Sequence, residues 1–172
     1  DEWNAAYIGA TTNLRHIQQA APEDKLLVGI SKVIEANAIG TMAILMGDVP
    51  YSEIGGEIED PVFDGQKSVL AALSTLLDGA ITDLNATSSR NESFDIIFGG
   101  DKDKWIEAAY TLKARHALVQ GNYAGALAAA NNGISSSAGD MLYKPRGDAS
   151  IDQGDKNLFY TLLAGSRTGD IG

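Results

Sequence analysis

Cysteine is absent from this chain, which excludes disulfides, thiolate metal sites and cysteine nucleophiles. Histidine is nearly absent too. Only His16 and His116 occur in 172 residues, with no Gly-x-Ser-x-Gly elbow to pair with either and no His-Glu-x-x-His zinc set. Basic residues are scarce: 13 Lys and Arg stand against 23 Asp and Glu, for a net charge of −10. Nucleic acid needs a basic face, so it is excluded as a partner, and docking of the bare surface onto anionic lipid is disfavoured. No uninterrupted apolar run approaches the roughly 18 residues of a membrane span. No basic stretch followed by an apolar one opens the chain, so no signal peptide is expected. Without an initiating Met, the opening Asp1-Glu2-Trp3 is expected to mark a trimmed or internal piece.

What is present is helical periodicity, on an apolar content of 44% that suits a folded domain. Trp3, Ala6, Tyr7, Ala10, Leu14, Ile17 and Ala21 recur at steps of three and four, with Asn13, Arg15 and Gln19 mostly on the other face. Pro22, Glu23 and Asp24 begin a second helix, as Pro and acidic residues do in first turns. Its stripe runs through Leu26, Leu27, Ile30, Val33, Ile34, Ala38, Thr41, Ile44 and Leu45, and the width of that stripe predicts the most buried helix. Gly47-Asp48-Val49-Pro50-Tyr51-Ser52-Glu53 then forms a helix exit with a rigid turn.

Residues 47–64 read as a loop in which Glu53, Glu57, Glu59, Asp60 and Asp64 cluster; the choice lies between a solvated surface loop and a cation site, and the first is favoured. A third helix spans about Gly65 to Asn85. Phe94 to Phe98 reads as a brief strand or an extended tether, and Asp101 as the N-cap of a fourth helix carrying Trp105, Ala109, Leu112, His116 and Val119. Gly121 and Asn122 break it before an alanine-rich fifth helix, Tyr123 to about Asn131, whose small side chains allow close helix approach. The Gly121-Asn122-Tyr123…Ala126 turn is similar to that of a tetratricopeptide unit. Beyond a Ser-rich turn at 135–137, Met141 to Tyr143 reads as a tether, 146–156 as a loop and 157–163 as a short helix.

Chemistry is hard to find in the pattern. Carboxylates are too numerous for any one pair to indicate glycosidase action. Asp148-x-Ser150-x-Asp152 opens like a calcium loop but departs from it at Gln153 and Phe159. Gly99-Gly100-Asp101-Lys102 lacks the spacing of a phosphate cradle. No catalytic residue, metal ligand or cofactor is therefore expected. Trp105 reads as core. Trp3, at a helix start where a ring can stay half-exposed, suits stacking on the apolar face of a sugar.

Taken in order, Trp3-x-x-x-Tyr7, the Gly47–Glu53 turn, Phe63-Asp64-Gly65-Gln66-Lys67-Ser68-Val69, Asp95-Ile96-Ile97-Phe98-Gly99-Gly100-Asp101 with Lys104-Trp105, Leu112-Lys113-x-Arg115, Asn157-x-Phe159-Tyr160 and Ser166-Arg167-Thr168 resemble the SusD/RagB family. The resemblance implies an all-α fold, a tetratricopeptide-like right-handed stack of antiparallel helix pairs with long loops. It implies a single helical domain over 1–172, the N-terminal portion of a longer protein. It further implies a non-catalytic outer-membrane lipoprotein of Bacteroidota, surface-exposed or periplasm-facing, that binds an oligosaccharide or other small nutrient. Its partner would be a TonB-dependent SusC-type transporter, and its membrane contact a lipid anchor missing from this chain. The alternative is a tetratricopeptide-like protein–protein interaction module. Trp3 and Asn4 are the expected ligand contacts, from location and side-chain type.

Overall fold

The computed structural model describes residues 2–55, 58 and 60–145; the readings for 146–172, including the calcium-like loop and the short helix at 157–163, lie outside them. Contacts divide the chain into two compact units, Asp1–Met141 and Leu142–Gly172, and every helix described here belongs to the first.

The fold is all-α. It opens with one continuous rod made of α1 (Glu2–Asn4), a π-helical stretch (Ala5–Thr11) and α2 (Thr12–Ala20). Asp24 then caps α3 (Lys25–Met46), accepting a hydrogen bond from the Leu27 N–H at 3.1 Å. A short antiparallel ribbon pairs β1 (Val49–Pro50) with β2 (Phe63–Asp64). α4 (Gln66–Asn85), α5 (Lys102–Val119), α6 (Tyr123–Ala130) and a 3-10 turn (Ser137–Gly139) follow. Helices adjacent in sequence pack on one another, α3 most extensively on α4, and α3 also meets α5. This is the tetratricopeptide-like arrangement expected from the paired helical stripes.

α3 is the central helix. Leu26, Val33, Ala36 and Ile39 are sealed from solvent against Leu70, Leu73, Leu77 and Leu84 of α4 and Trp105 of α5. Each sealed Leu contributes about 2 kcal/mol. Two glycines let the helices close: a methyl on Gly29 would meet Leu84 Cγ at 2.6 Å, and one on Gly40 would collide with the His116 ring. The most apolar window of α3 has a mean hydropathy of 1.4, enough by length and composition for a membrane span, yet 61% of it is buried inside the fold. The predicted stripe holds at Leu26, Ile30 and Val33, whereas Thr41 and Leu45 are exposed; the buried face runs instead through Glu35, Ala36, Ile39, Gly40, Met42 and Ala43.

The turn after α3 gives most residues of the Gly47–Glu53 stretch a place. Gly47 ends α3 with φ +88°, a left-handed backbone that favours glycine. The Asp48 carboxylate accepts from the Gln66 N–H at 2.9 Å and so caps α4, whose own N-cap, Gly65, has no side chain to do it. Val49 is fully buried. Asp64 closes the loop from the far side, accepting from the N–H groups of Tyr51 and Ser52 and from the Ser52 hydroxyl at 2.7–2.9 Å. The Ser52 N–H in particular holds the Asp64 carboxyl below its usual range. Glu53 accepts from the Val62 N–H at 3.0 Å. Two members of the acidic cluster thus serve as backbone acceptors inside the loop.

Residues 94–98 are neither strand nor tether. They form consecutive turns wound around Asp95, which is 8% exposed. One carboxylate oxygen accepts from the Ile97 and Phe98 N–H groups, the other from the Gly100 N–H at 2.7 Å and the Trp105 indole at 2.8 Å. Gly99 and Gly100 both adopt positive φ. The turn therefore docks onto the first turn of α5, where Asp101 caps the Asp103 and Lys104 N–H groups as its position predicts.

Candidate functional site

The rod carries aromatic residues at four-residue spacing. Trp3 and Tyr7 stack nearly parallel, 5.3 Å between centroids with 11° between planes, and Phe63 of the ribbon meets Trp3 edge-on at 6.1 Å. Both geometries are favourable for aromatic pairs. The Tyr7 hydroxyl donates to the Pro50 carbonyl at 2.8 Å, tying rod to turn. Burial, with the Asp64 charge adding to it, pushes the Tyr7 phenol up to about 12, so it remains a donor at physiological pH.

Trp3 and Tyr7 form one wall of an open groove of about 310 Å³, with Arg15, Ile54, Ile58 and Pro61 among its other walls; Phe63 supports Trp3 from outside that lining. Arg15 is the only charged group among the described lining residues. Its guanidinium lies 5.0 Å from the Tyr51 ring centroid, donates to the Ile54 carbonyl, and reaches Glu35 Oε1 at 2.9 Å. Glu35 is 1% exposed. Its second oxygen accepts from Gln18 at 2.9 Å, and the Tyr51 hydroxyl lies 3.4 Å from Oε1. Burial, followed by the Glu35 charge, raises the Tyr51 phenol to about 12. The groove floor is thus held by a buried ion pair linking α2, α3 and the turn.

Of the two residues expected from sequence, Trp3 is half-buried in the groove wall. Asn4 is exposed on the same turn and is not among the groove's lining residues. Tyr7 and Phe63, which complete the platform, escaped sequence reasoning as site residues. The i, i+4 spacing of Trp3 and Tyr7 was the available signal for one, and nothing local marked the other. Arg15, assigned to the outer face of the rod, instead turns under the turn segment to meet Glu35. His16 is exposed on α2, while His116 is sealed between α3 and α5 with its Nδ1 atom unpartnered. Neither histidine lines the groove. The platform offers flat apolar faces with polar tips at Tyr7, Thr12 and Arg15. That arrangement can hold a ligand with one apolar and one hydroxylated face.

A second groove, about 480 Å³, lies between α4, α5 and α6, with Ala71, Ala117 and Ala128 among its walls beside Lys113, Gln120 and Asn122. Lys113 is already paired with Asp78.

Residues 1–151 match the SusD-like family described as starch-binding and associating with the outer membrane. Among solved structures, the chain is similar to a SusD/RagB family protein from Bacteroides thetaiotaomicron, at 24% identity and TM-score 0.76, covering 93% of this chain and 35% of that one. A chitin-binding protein is 26% identical with TM-score 0.72, covering 84% and 33%. A chitin-binding SusD homolog from Flavobacterium johnsoniae is 23% identical with TM-score 0.67, covering 83% and 31%. The chain thus spans about a third of the length of the solved structures it matches. No curated protein sequence matches it.

Proposed function

The chain belongs to the SusD-like family, and from that premise we propose that it is part of a non-catalytic protein that captures glycans at the outer membrane and hands them to a TonB-dependent SusC-type transporter. The observation that carries the reading is the Trp3–Tyr7 stack, extended by Phe63, on an open groove. Pyranose rings present a face of C–H groups that lies flat on such rings, with their hydroxyls left at the groove rim. Two solved relatives are chitin-binding by name and the family is described as starch-binding. N-acetylglucosamine and glucose oligomers are therefore the first ligands to try.

Calorimetric titration of these oligomers into the protein, with product analysis of the same mixtures, tests the reading. Saturable binding with the oligomers recovered intact is expected; hydrolysis of any of them would overturn it. Transporter association is checked separately by co-purification from native membranes, where a co-purifying TonB-dependent receptor is expected.

One observation favours a second reading, a protein–protein module. The groove between α4, α5 and α6 is open and lined by Lys113 and Asn122 beside small residues, as a surface receiving an extended peptide would be.

A further inference from the structure

Outside the rod, most helical hydroxyls bond back to the backbone across four residues; the rod's do not. In α3, α4 and α5, Thr41, Ser74, Thr75, Thr82 and Thr111 each donate to the carbonyl four residues back, at 2.7–3.3 Å. This is the usual back-bond of a helical hydroxyl. In the rod, Thr11 donates to Ala6 O at 2.7 Å and Thr12 to Tyr7 O at 3.0 Å, both five residues back. The Thr12 N–H donates to that same Tyr7 carbonyl. Asn13 adds its side-chain amide to Gly9 O at 2.9 Å and Ile8 O at 3.4 Å. Thr12 thus places a second donor on the carbonyl its own N–H uses, and both hydroxyls reach five residues back, as the wider π turn allows.

The register matters because of where it puts the platform. In an α-helix each step of four residues overshoots a full turn by roughly 40°. The wider π turn, closed by i to i+5 bonds, undershoots it. Combining the two keeps Trp3, Tyr7, Thr11 and Arg15 in one column, and all four line the groove. Resetting the stretch to α-helix would remove the equivalent of one residue, swinging Trp3, which precedes the stretch, by roughly 100° relative to α2 and Tyr7, within it, by part of that angle. Because α2 is fixed by the Arg15 and Gln18 bonds to Glu35, the rings would leave Phe63 and the Pro50 carbonyl.

We infer that Thr11 and Thr12 are positioning residues for the ligand platform: their hydroxyls hold the π register that carries Trp3 and Tyr7 over the groove. The consequence for binding rests on the glycan reading above; the consequence for the rings does not. The test compares wild type with Thr11→Val, Thr12→Val, the double variant and the double Ser replacement. Ring-to-ring NOEs between Trp3 and Phe63 report the register, and calorimetry with chitin and malto-oligosaccharides reports binding. Thr12 is exposed, so its Val variant folds even should the Thr11 site not tolerate the change.

The Val variants are expected to lose the Trp3–Phe63 NOEs and to weaken oligosaccharide binding about tenfold, the equivalent of one lost aromatic contact. The Ser pair, which keeps both hydroxyls, restores both. Persistence of the NOEs in every folded Val variant overturns the inference. So does loss of the NOEs with binding unchanged. A wild-type protein that binds none of the oligosaccharides sinks the glycan reading, while the NOEs still decide whether the hydroxyls set the register.

Discussion

Glu35 is a carboxylate buried to 1% exposure, in the middle of the long central helix α3. It is tolerable only because Arg15, Gln18 and Tyr51 converge on it. Removing the cation leaves a buried charge short of its partner, which costs far more than the intact pair gains. Arg15→Met is therefore expected to lower unfolding stability by about 3 kcal/mol, read from urea denaturation; a loss below 1 kcal/mol would mean that Glu35 is not held as described. None of this was legible in the sequence. Arg15 sits among polar residues on the rod and Glu35 among apolar ones on α3, and no local spacing links residues that meet only through tertiary packing.

His116 makes a second prediction at this scale. Burial, reinforced by the neighbouring Arg115 charge, lowers its imidazole to about 4 from an ordinary value near 6.5. The folded protein thus keeps a neutral ring where the unfolded chain takes a proton. The stability contribution is complete above pH 6.5 and is lost as pH falls from 6.5 toward 4, by about 3 kcal/mol in all. Thermal unfolding across that window should show the slope in wild type and lose most of it in His116→Leu. An equal slope in the variant would assign the acid sensitivity to other groups.

At the scale of elements, the helices follow from their apolar periods and caps. Asp24, Asp101 and Asn122 each accept an N–H of the helix they open. The misreading at 94–98 has a physical cause. Five residues that are mostly apolar fit a short strand as well as anything else. The deciding signal was the pair Gly99-Gly100 after an Asp, since two positive-φ glycines beside an acceptor side chain favour a turn. The π stretch was hidden for another reason: steps of three and four describe an α stripe and a π stripe alike, and only the strict fours from Trp3 to Arg15 hint at the wider turn. Asp95→Ala strands three backbone N–H groups and the Trp105 indole, the Gly100 N–H and the indole among them buried. It should cost about 3 kcal/mol or more and shift the Trp105 fluorescence to the red. Unchanged emission would mean that the indole is held without Asp95.

For the whole molecule, the ordered motifs carried more than any one of them. The all-α fold and the SusD-like assignment were legible because helix periods and the Gly47–Glu53 turn recur in order along the chain, and residues 1–151 match that family. The groove was only half legible: Trp3 was visible as a ring at a helix start, whereas the Phe63 edge that backs Trp3 depends on a ribbon that closes across a loop of a dozen residues. The central claim is that the rings around this groove hold a sugar. The most direct measurement is calorimetric titration of an oligosaccharide panel into wild type and Trp3→Ala, with thermal unfolding of both as a control. Saturable binding by wild type, weakened about tenfold or more in the variant at a similar unfolding temperature, is the predicted result. Equal affinity in the two proteins would contradict it.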